Sequence, residues 1–480
     1  MRSGLAISLA VAAALSTAAA CSTFNVTAGP VALLEDAIVT AVPTDLGPGQ
    51  SGGWALVATN SCTGAVVRKV ALAPLPAPPQ DCASGAWMPT GLAPTVVANH
   101  TTIVGSLLCF GEPAAASLVF AADLEAQRLL WAAPAHLPNG SVWTEEYAGV
   151  TAIPQRGLVA VFAFVTGHTA VLDAATGHTL WTRNIKEDYR CGGNMPLERN
   201  VDALRPPLAW QGGAPTSHTK GDGLLLLGCR NARSGPDGQQ HVSLAAIAVD
   251  SGSGNLQWRT DFTQAFPPSE GFYTAYITGH TDDGVVVVGV ENSVAGGDGM
   301  VVVEQGTGDI LASTRIPSGY SLFGTIPAAP GANPPSGLVS AWGEYAAGTC
   351  SAVLEGLATA DLAQQWSAPP FNATMPSGAS SSTCGAHVFG SVPPSVTGGG
   401  PAYLVWHIAN AAPALLDVNL LRLIDASSHD IVATLDLSAV TVPSASLNGN
   451  TVVGSNAHGV VVVLGKSLAV WPWAAFKRQM

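Results

Sequence analysis

The sequence predicts an all-β chain built from a repeated four-stranded antiparallel unit, and three observations carry that prediction. The first is a hairpin signature. Val171 to Trp181 reads Val-Leu-Asp-Ala-Ala-Thr-Gly-His-Thr-Leu-Trp: an apolar run closing on Asp173, a short turn through Thr176 and Gly177, and a second run closing on Trp181. Asp173 suits the turn because its carboxylate can fold onto backbone amides, and Gly177 suits it because a positive φ strains any residue with a Cβ. Trp181 brings a large flat apolar surface to whatever layer packs next.

The second observation is recurrence. Asp250, Gly254 and Trp258 repeat the offsets of four and eight residues found at Asp173, Gly177 and Trp181. Asp123 leads to Trp131 with Gln127 in the glycine position, Glu304 and Gly308 lead to Ala312, and Asn60 and Gly64 lead to Arg68. Asp425 leads to His429 and Ala433, and near Gly356 to Trp366 only the tryptophan is recognisable. Seven copies at spacings of about 50 to 77 residues describe a propeller or solenoid rather than independent domains. The third observation is composition. The 480 residues are 48% apolar and 11% charged, with 53 Gly and 34 Pro, which suits many short buried strands joined by turns.

The segment Leu-Asp-Ala-Ala-Thr-Gly-His-Thr-Leu-Trp resembles the tryptophan-docking repeat of pyrroloquinoline-quinone-type (PQQ-type, quinoprotein-like) β-propellers, in which one such hairpin closes each blade. The resemblance is specific at the copies ending on Trp131, Trp181 and Trp258. It implies a single β-propeller of four-stranded antiparallel blades over residues 21–480. Each copy supplies an outer hairpin, and intervening runs such as Ile38 to Val42 with Trp54 to Ala58 supply the inner strands. After the seventh copy, Ala445 to Leu447, Thr451 to Gly454, Gly459 to Leu464 and Leu468 to Trp473 are enough for another blade, so eight blades are favoured. The alternative is seven, with the C-terminal strands closing the ring against the N-terminal segment. In this reading Asp123, Trp131, Asp173, Gly177, Trp181, Asp250, Gly254 and Trp258 are structural docking residues. Trp87, outside the repeat, is expected to contribute less to stability.

The N-terminus precedes the repeats with Arg2, an apolar stretch from Leu5 to Leu15, and small residues through Ala20, the pattern of a secretory signal over 1–20. A lipoprotein reading with Cys21 acylated is disfavoured by Ala18, where such signals carry leucine. A secreted, extracellular location without a transmembrane segment is therefore expected. Net charge is −13, and no basic cluster is larger than a pair such as Lys477-Arg478, which argues against nucleic acid or anionic membrane as partners.

Cysteines stand at 21, 62, 82, 109, 191, 229, 350 and 384, with no Cys-x-x-Cys motif for zinc or haem. Export makes disulfides the default. Sequence alone leaves 105 pairings open; local bridges are expected for Cys62 with Cys82, Cys191 with Cys229, and Cys350 with Cys384. Cys21 and Cys109 would then remain for each other, provided that cleavage precedes Cys21. Asn25, Asn99, Asn139 and Asn372 head glycosylation sequons. Histidines at His100, His168, His178, His218 and His280 read as polar turn residues, not as a metal site.

Quinoprotein dehydrogenases would imply an adjacent-cysteine disulfide against the quinone, an acidic base beside calcium, and a tryptophan under the ring. No Cys-Cys pair occurs, and no catalytic residue matches position by position. No catalytic residue and no cofactor are therefore assigned, with PQQ and calcium the alternative. Loops joining one blade's last strand to the next blade's first are where a propeller usually holds ligands. Between Arg183 and Arg205 nine charged residues gather, including Arg190, Glu198 and Arg199, together with Tyr189. Neighbouring loops add Trp143, Glu145, Glu146 and Tyr147 on one side and Glu270, Phe272 and Tyr273 on the other. Charge mixed with aromatic residues suits a protein or carbohydrate partner. The expected function is thus a secreted, monomeric, non-catalytic binding or scaffolding module. The rivals are a PQQ-dependent oxidoreductase acting on a sugar or alcohol, and a cell-surface or envelope structural protein.

Overall fold

The computed structural model describes residues 24–27, 31–44, 53–78, 87–109, 116–134, 148–163, 168–191, 223–234, 240–266, 273–281, 284–292, 299–315, 320–329, 337–346, 349–374, 383–392, 400–410, 418–437, 450–464 and 467–478. The expected signal at 1–20 lies outside them. The described strands form antiparallel meanders over 31–72, 88–134, 148–184, 224–261, 273–315, 320–367 and 383–436, followed by one over 450–472. Each has four described strands except 224–261, which has three, and 450–472, whose fourth strand is the N-terminal Phe24–Thr27 paired antiparallel to Ser467–Val470. The last meander therefore draws its fourth strand from the other end of the chain. The sixth and seventh meanders are linked by one parallel bridge, Leu322 with Ala386.

The repeated hairpin owes its shape to side-chain acceptors and a bulge. Asp173 Oδ1 accepts from the Ala175 amide (3.1 Å), the Thr176 amide (2.8 Å) and Thr176 Oγ1 (2.7 Å), while the Gly177 amide donates to the Asp173 carbonyl (2.8 Å). Asp250 holds Ser253 in the same way, and Asn60 holds Cys62 and Thr63. Beyond the turn the register slips by one residue, so that Leu172 pairs with Thr179 but Val171 with Trp181. The same slip occurs in the first seven meanders, always one residue before the motif's last position. A bulge turns the following side chain out of the strand's alternation, which is how a tryptophan eight residues after the turn's acidic residue comes to face the next meander.

That tryptophan docks on the next turn. Trp131 Nε1 donates to the Ala174 carbonyl (2.9 Å), Trp181 Nε1 to Ser251 (2.8 Å) and Trp258 Nε1 to Gln305 (2.7 Å), each acceptor lying one residue after the motif's acidic residue. The ring covers the glycine of the same turn: a Cβ on Gly177 would lie 2.6 Å from Trp131, and one on Gly254 2.8 Å from Trp181. Both glycines also have φ of +71°, so the position excludes side chains on two grounds. Apolar layers then fill the spaces between consecutive meanders, each cluster drawing residues from two neighbours. A further layer joins last to first, where Ile38 packs with Val461 and Val470 and Asn456 Nδ2 donates to Ser61 Oγ. The ring is closed by packing as well as by the shared sheet.

Two sequence expectations change. Trp87 is buried in the layer between the first and second meanders, donates from Nε1 to the Pro76 carbonyl (2.7 Å) and accepts from Trp54, so it is as embedded as the docking tryptophans. The motif near Trp366 is also more complete than its letters suggest. Ala358 and Leu362 hold the acidic and glycine positions, with the Leu362 amide bonded to the Ala358 carbonyl (3.0 Å) and Leu362 at φ +56°. The residue facing that turn from the fifth meander is Ala312, which packs in the layer containing Leu362. A small residue replaces the tryptophan where a large one replaces the glycine.

Trp181→Ala and Trp258→Ala should each destabilise the chain by about 3 to 5 kcal/mol, the range for emptying an aromatic core site. Trp87→Ala should fall in the same range, and urea melts of the three variants test that equality. Ala312→Trp and Leu362→Gly should each destabilise alone, yet together recover a favourable coupling of about 0.5 to 3 kcal/mol in a double-mutant cycle. Strict additivity would mean that the two positions are not a docking pair.

Candidate functional site

Antiparallel pairing puts the docking turns at one end of every meander and the exits of the fourth strands at the other. The exit of the third meander is the start of the charged stretch singled out in the sequence. Asn184 caps a single helical turn, α1 (Ile185–Asp188), accepting from the Lys186 and Glu187 amides at 3.1 and 3.4 Å, while Asp188 accepts from the Asn184 amide at 3.0 Å. Tyr189 is buried, its hydroxyl donating to the Gly254 carbonyl of the next meander's docking turn, and burial pushes its phenol pKa up. Arg259 Nη1 donates to the carbonyls of Tyr189 (3.0 Å) and Arg190 (2.6 Å) and is itself held by Asp261. The Cys191–Cys229 disulfide fixes the next position to the fourth meander. Glu187, Asp188 and Arg190 are left exposed on this braced turn.

Of the predicted contact residues, Tyr189 and Arg190 are thus adjacent but face opposite ways. Tyr273 begins the strand Tyr273–His280. Trp143, Glu145, Glu146, Tyr147, Glu198 and Arg199 lie outside the described residues. Among the sequons, Asn99 is exposed at a two-residue turn between strands with φ +66°, and Asn372 is exposed on Phe371–Thr374. Asn25 lies on the N-terminal strand, and Asn139 is outside the described residues.

Cys350–Cys384 forms the second bridge, as the spacing predicts. Cys62 and Cys109 are also disulfide-bonded, and their expected partners Cys82 and Cys21 are outside the described residues.

Sequence reasoning missed a buried polar cluster at the exit-loop end of the sixth and seventh meanders. His407 Nε2 lies 3.2 Å from Cys350 Sγ, and Arg422 Nη1 lies 2.8 Å from His407 Nδ1. Arg422 also sits over the Phe371 ring, 5.0 Å from its centroid. Burial, reinforced by the Arg422 charge, holds His407 down to about 3, and burial lowers Arg422 to about 10. The ring is therefore neutral; since arginine only donates, Nδ1 accepts and Nε2 carries the hydrogen, which faces Cys350 at both its sulfur and its backbone carbonyl. One signal was available in the sequence: Arg422 interrupts the apolar run Leu420-Leu421-Arg422-Leu423-Ile424. The meanders touch backbone to backbone beside this cluster, where a Cβ on Gly343 would lie 2.4 Å from Gly385 Cα.

No family model matches the sequence, and no curated protein matches it. Solved structures similar to the chain include BamB from Moraxella catarrhalis, 10% identical over 94% of this chain and 98% of that one, with a TM-score of 0.42. The quinohemoprotein alcohol dehydrogenase ADHIIG from Pseudomonas putida HK5 is 12% identical over 96% and 77%, with a TM-score of 0.46. The Dos1 propeller is 10% identical over 94% and 95%, with a TM-score of 0.46. The fold is a β-propeller of the PQQ-like repeat type. What carries that assignment is the docking geometry inside this propeller, turn by turn. Among the described residues the one metal-type group of His, Cys, Asp and Glu side chains is Cys350, Cys384 and His407, of which two are joined in a disulfide and none offers the oxygen that calcium requires, so that group does not fit the quinone's calcium.

A pH test follows from Glu355, on the third strand of the sixth meander, whose carboxyl burial pushes up from 4.5 to about 7. Between those values the folded chain keeps a proton that the unfolded chain has lost, so the stabilisation is complete below the lower value and disappears as pH rises through the upper one. His407 contributes the opposite slope, losing stability as pH falls from 6.5 toward about 3. The difference in melting temperature between wild type and Glu355→Gln, measured pH by pH, should therefore shift in favour of the variant from about pH 5 to pH 8. A flat difference would place that carboxyl in water.

Proposed function

We propose that this propeller is an exported, non-catalytic binding or scaffolding module that takes a protein or carbohydrate partner on its exit-loop face. The observation that carries the reading is the braced turn after the third meander. In a chain that is 11% charged, Arg259, the Asn184 cap and the Cys191–Cys229 bridge hold Glu187, Asp188 and Arg190 in fixed positions at the surface. A surface ordered before binding loses little conformational entropy when a partner arrives. The sequence around it adds Trp143, Glu145, Glu146, Tyr147, Glu198, Arg199 and Tyr273, a mixture of charge and aromatic area suited to polar recognition. Export is supported by the pattern of residues 1–20 and by disulfide use. A monomer is supported by the apolar layers between meanders, which are covered within one chain.

The experiment is a glycan-array and crosslinking screen on the mature chain and on a variant with Glu145, Glu146, Arg190 and Arg199 changed to alanine. A partner should bind the wild type and lose about tenfold or more in affinity to the variant, the scale of 1.4 kcal/mol. Equal binding would move the site elsewhere. Dye reduction after adding the quinone and calcium should stay at background, and turnover would replace this reading with the oxidoreductase.

A further inference from the structure

We propose that Cys350–Cys384 is a thiol–disulfide exchange site whose substrate class is a dithiol, with Cys384 the sulfur attacked and Cys350 the leaving group held by His407. The two described bridges differ in what faces their sulfurs. Around Cys191–Cys229 the neighbours are acceptors, the Gly228 carbonyl at 3.8 Å from Cys191 Sγ and the Leu227 carbonyl at 3.9 Å from Cys229 Sγ. Carbonyl oxygens repel a developing thiolate. Cys350 Sγ instead faces the N–H of His407 at 3.2 Å, a donor it shares with the Cys350 carbonyl and one fixed in that tautomer because Arg422 donates to the other ring nitrogen. A disulfide sulfur is a weak acceptor and a thiolate a strong one, so this contact strengthens as the bond breaks. Arg422 adds a nearby buried cation and makes no ion pair with a carboxylate among the described residues.

The direction of attack follows from the same contacts. Cys384 Sγ lies 3.9 Å from the Ser351 carbonyl, an acceptor, which makes it the poorer leaving group. Its residue keeps 7% of its surface, whereas Cys350 has none. A dithiol, as thiolate, attacks Cys384 Sγ; the Cys350–Cys384 bond breaks and its electron pair goes to Cys350 Sγ, which takes a proton from solvent. The dithiol's second sulfur, on losing its proton, then displaces Cys384 from the mixed disulfide, and Cys384 is protonated in turn. The protein bridge gains two electrons and two protons, and the dithiol becomes a cyclic disulfide.

The consequence is local. Cys350 starts a strand of the sixth meander and Cys384 a strand of the seventh, so exchange opens the covalent link beside the single parallel bridge that joins them. The alternative chemistry, a metal on the reduced cysteines and His407, is disfavoured by the same arginine. Nε2 could bind a metal only with Nδ1 protonated, which would set an N–H against the Arg422 N–H.

The test is stepwise reduction of the native full chain with limiting dithiothreitol, trapping with an alkylating agent and mapping by mass spectrometry. Cys350 and Cys384 should be alkylated about tenfold or more faster than Cys191 and Cys229, the scale of one hydrogen bond to a charged group. In wild type, glutathione should be trapped on Cys384 and not on Cys350. His407→Phe should abolish the preference, while His407→Gln, whose amide can still donate, should keep part of it. Equal rates at the two bridges, faster reduction of Cys191–Cys229, or glutathione on Cys350 would each overturn the proposal. All three need only wild type, so a variant that fails to fold leaves the proposal exposed to refutation.

Discussion

The rest of the architecture depends on one contact: a tryptophan lying on the glycine of the next meander's turn and donating its N–H to the carbonyl three residues before that glycine. The glycine must take a left-handed φ and carry no side chain, the acidic residue must hold the turn closed, and a bulge must rotate the tryptophan out of its own sheet. Together these set the spacing and rotation between adjacent sheets. The apolar layers then fill a gap whose width is already determined. A sheet with a buried face on both sides needs both neighbours, which is why the chain closes its ring by lending Phe24–Thr27 to the last meander.

Departures from the motif show that the contact matters more than the letters. Where Arg68 replaces the tryptophan, its guanidinium reaches 4.0 Å from Glu125 in the next turn, whose glycine position is Gln127 at φ +52°. Both groups are partly exposed, so the ion pair is worth far less than a buried indole. Trp366 keeps its ring but meets His429 in place of glycine, and the two rings stack at 3.9 Å with 13° between planes. His429 pays for this with a φ of +61° and a ring pKa lowered by burial. Ala312 and Leu362 solve the same problem by exchanging sizes.

This explains what the sequence could disclose. Asp173, Asp250 and their tryptophans were legible because turn and docking sit within nine residues and every atom of the contact is dictated by residue type. Ala358 and Leu362 were not, since the acidic position there is an alanine: backbone bonds close the turn, and the side-chain acceptor stands instead at Asp361, which takes the Ala363 amide at 2.9 Å. A second recurrent contact was invisible for another reason: the residue after each acidic position donates its N–H to a carbonyl at the preceding hairpin, as Ala174 to Gly157, Ser251 to Gly223 and Gln305 to Gly284, but the intervening length varies. Cys191–Cys229 and Cys350–Cys384 were readable from proximity in the chain. Tyr189 was misleading, because in a stretch rich in charge its aromatic ring turns inward to the Gly254 carbonyl.

The two ends of the propeller are consequently under different constraints. At the docking end, each turn has the same length and a left-handed residue at the same place, most often glycine, set against the neighbouring sheet. At the exit end no such contact recurs among the described residues, so there the angle between sheets does not tie down loop length and composition. Both described disulfides and the His407 contact with Cys350 belong to the half of the meanders away from the docking turns, while the turn that bears Glu187, Asp188 and Arg190 leaves the exit of the third meander and is tied back to a docking turn through Tyr189. A buried arginine and a neutral histidine cost stability through desolvation and do nothing for the spacing of the sheets. Their position beside Cys350 Sγ is where that cost has a chemical return, because polarity directed at a sulfur changes which bond yields first to a thiol.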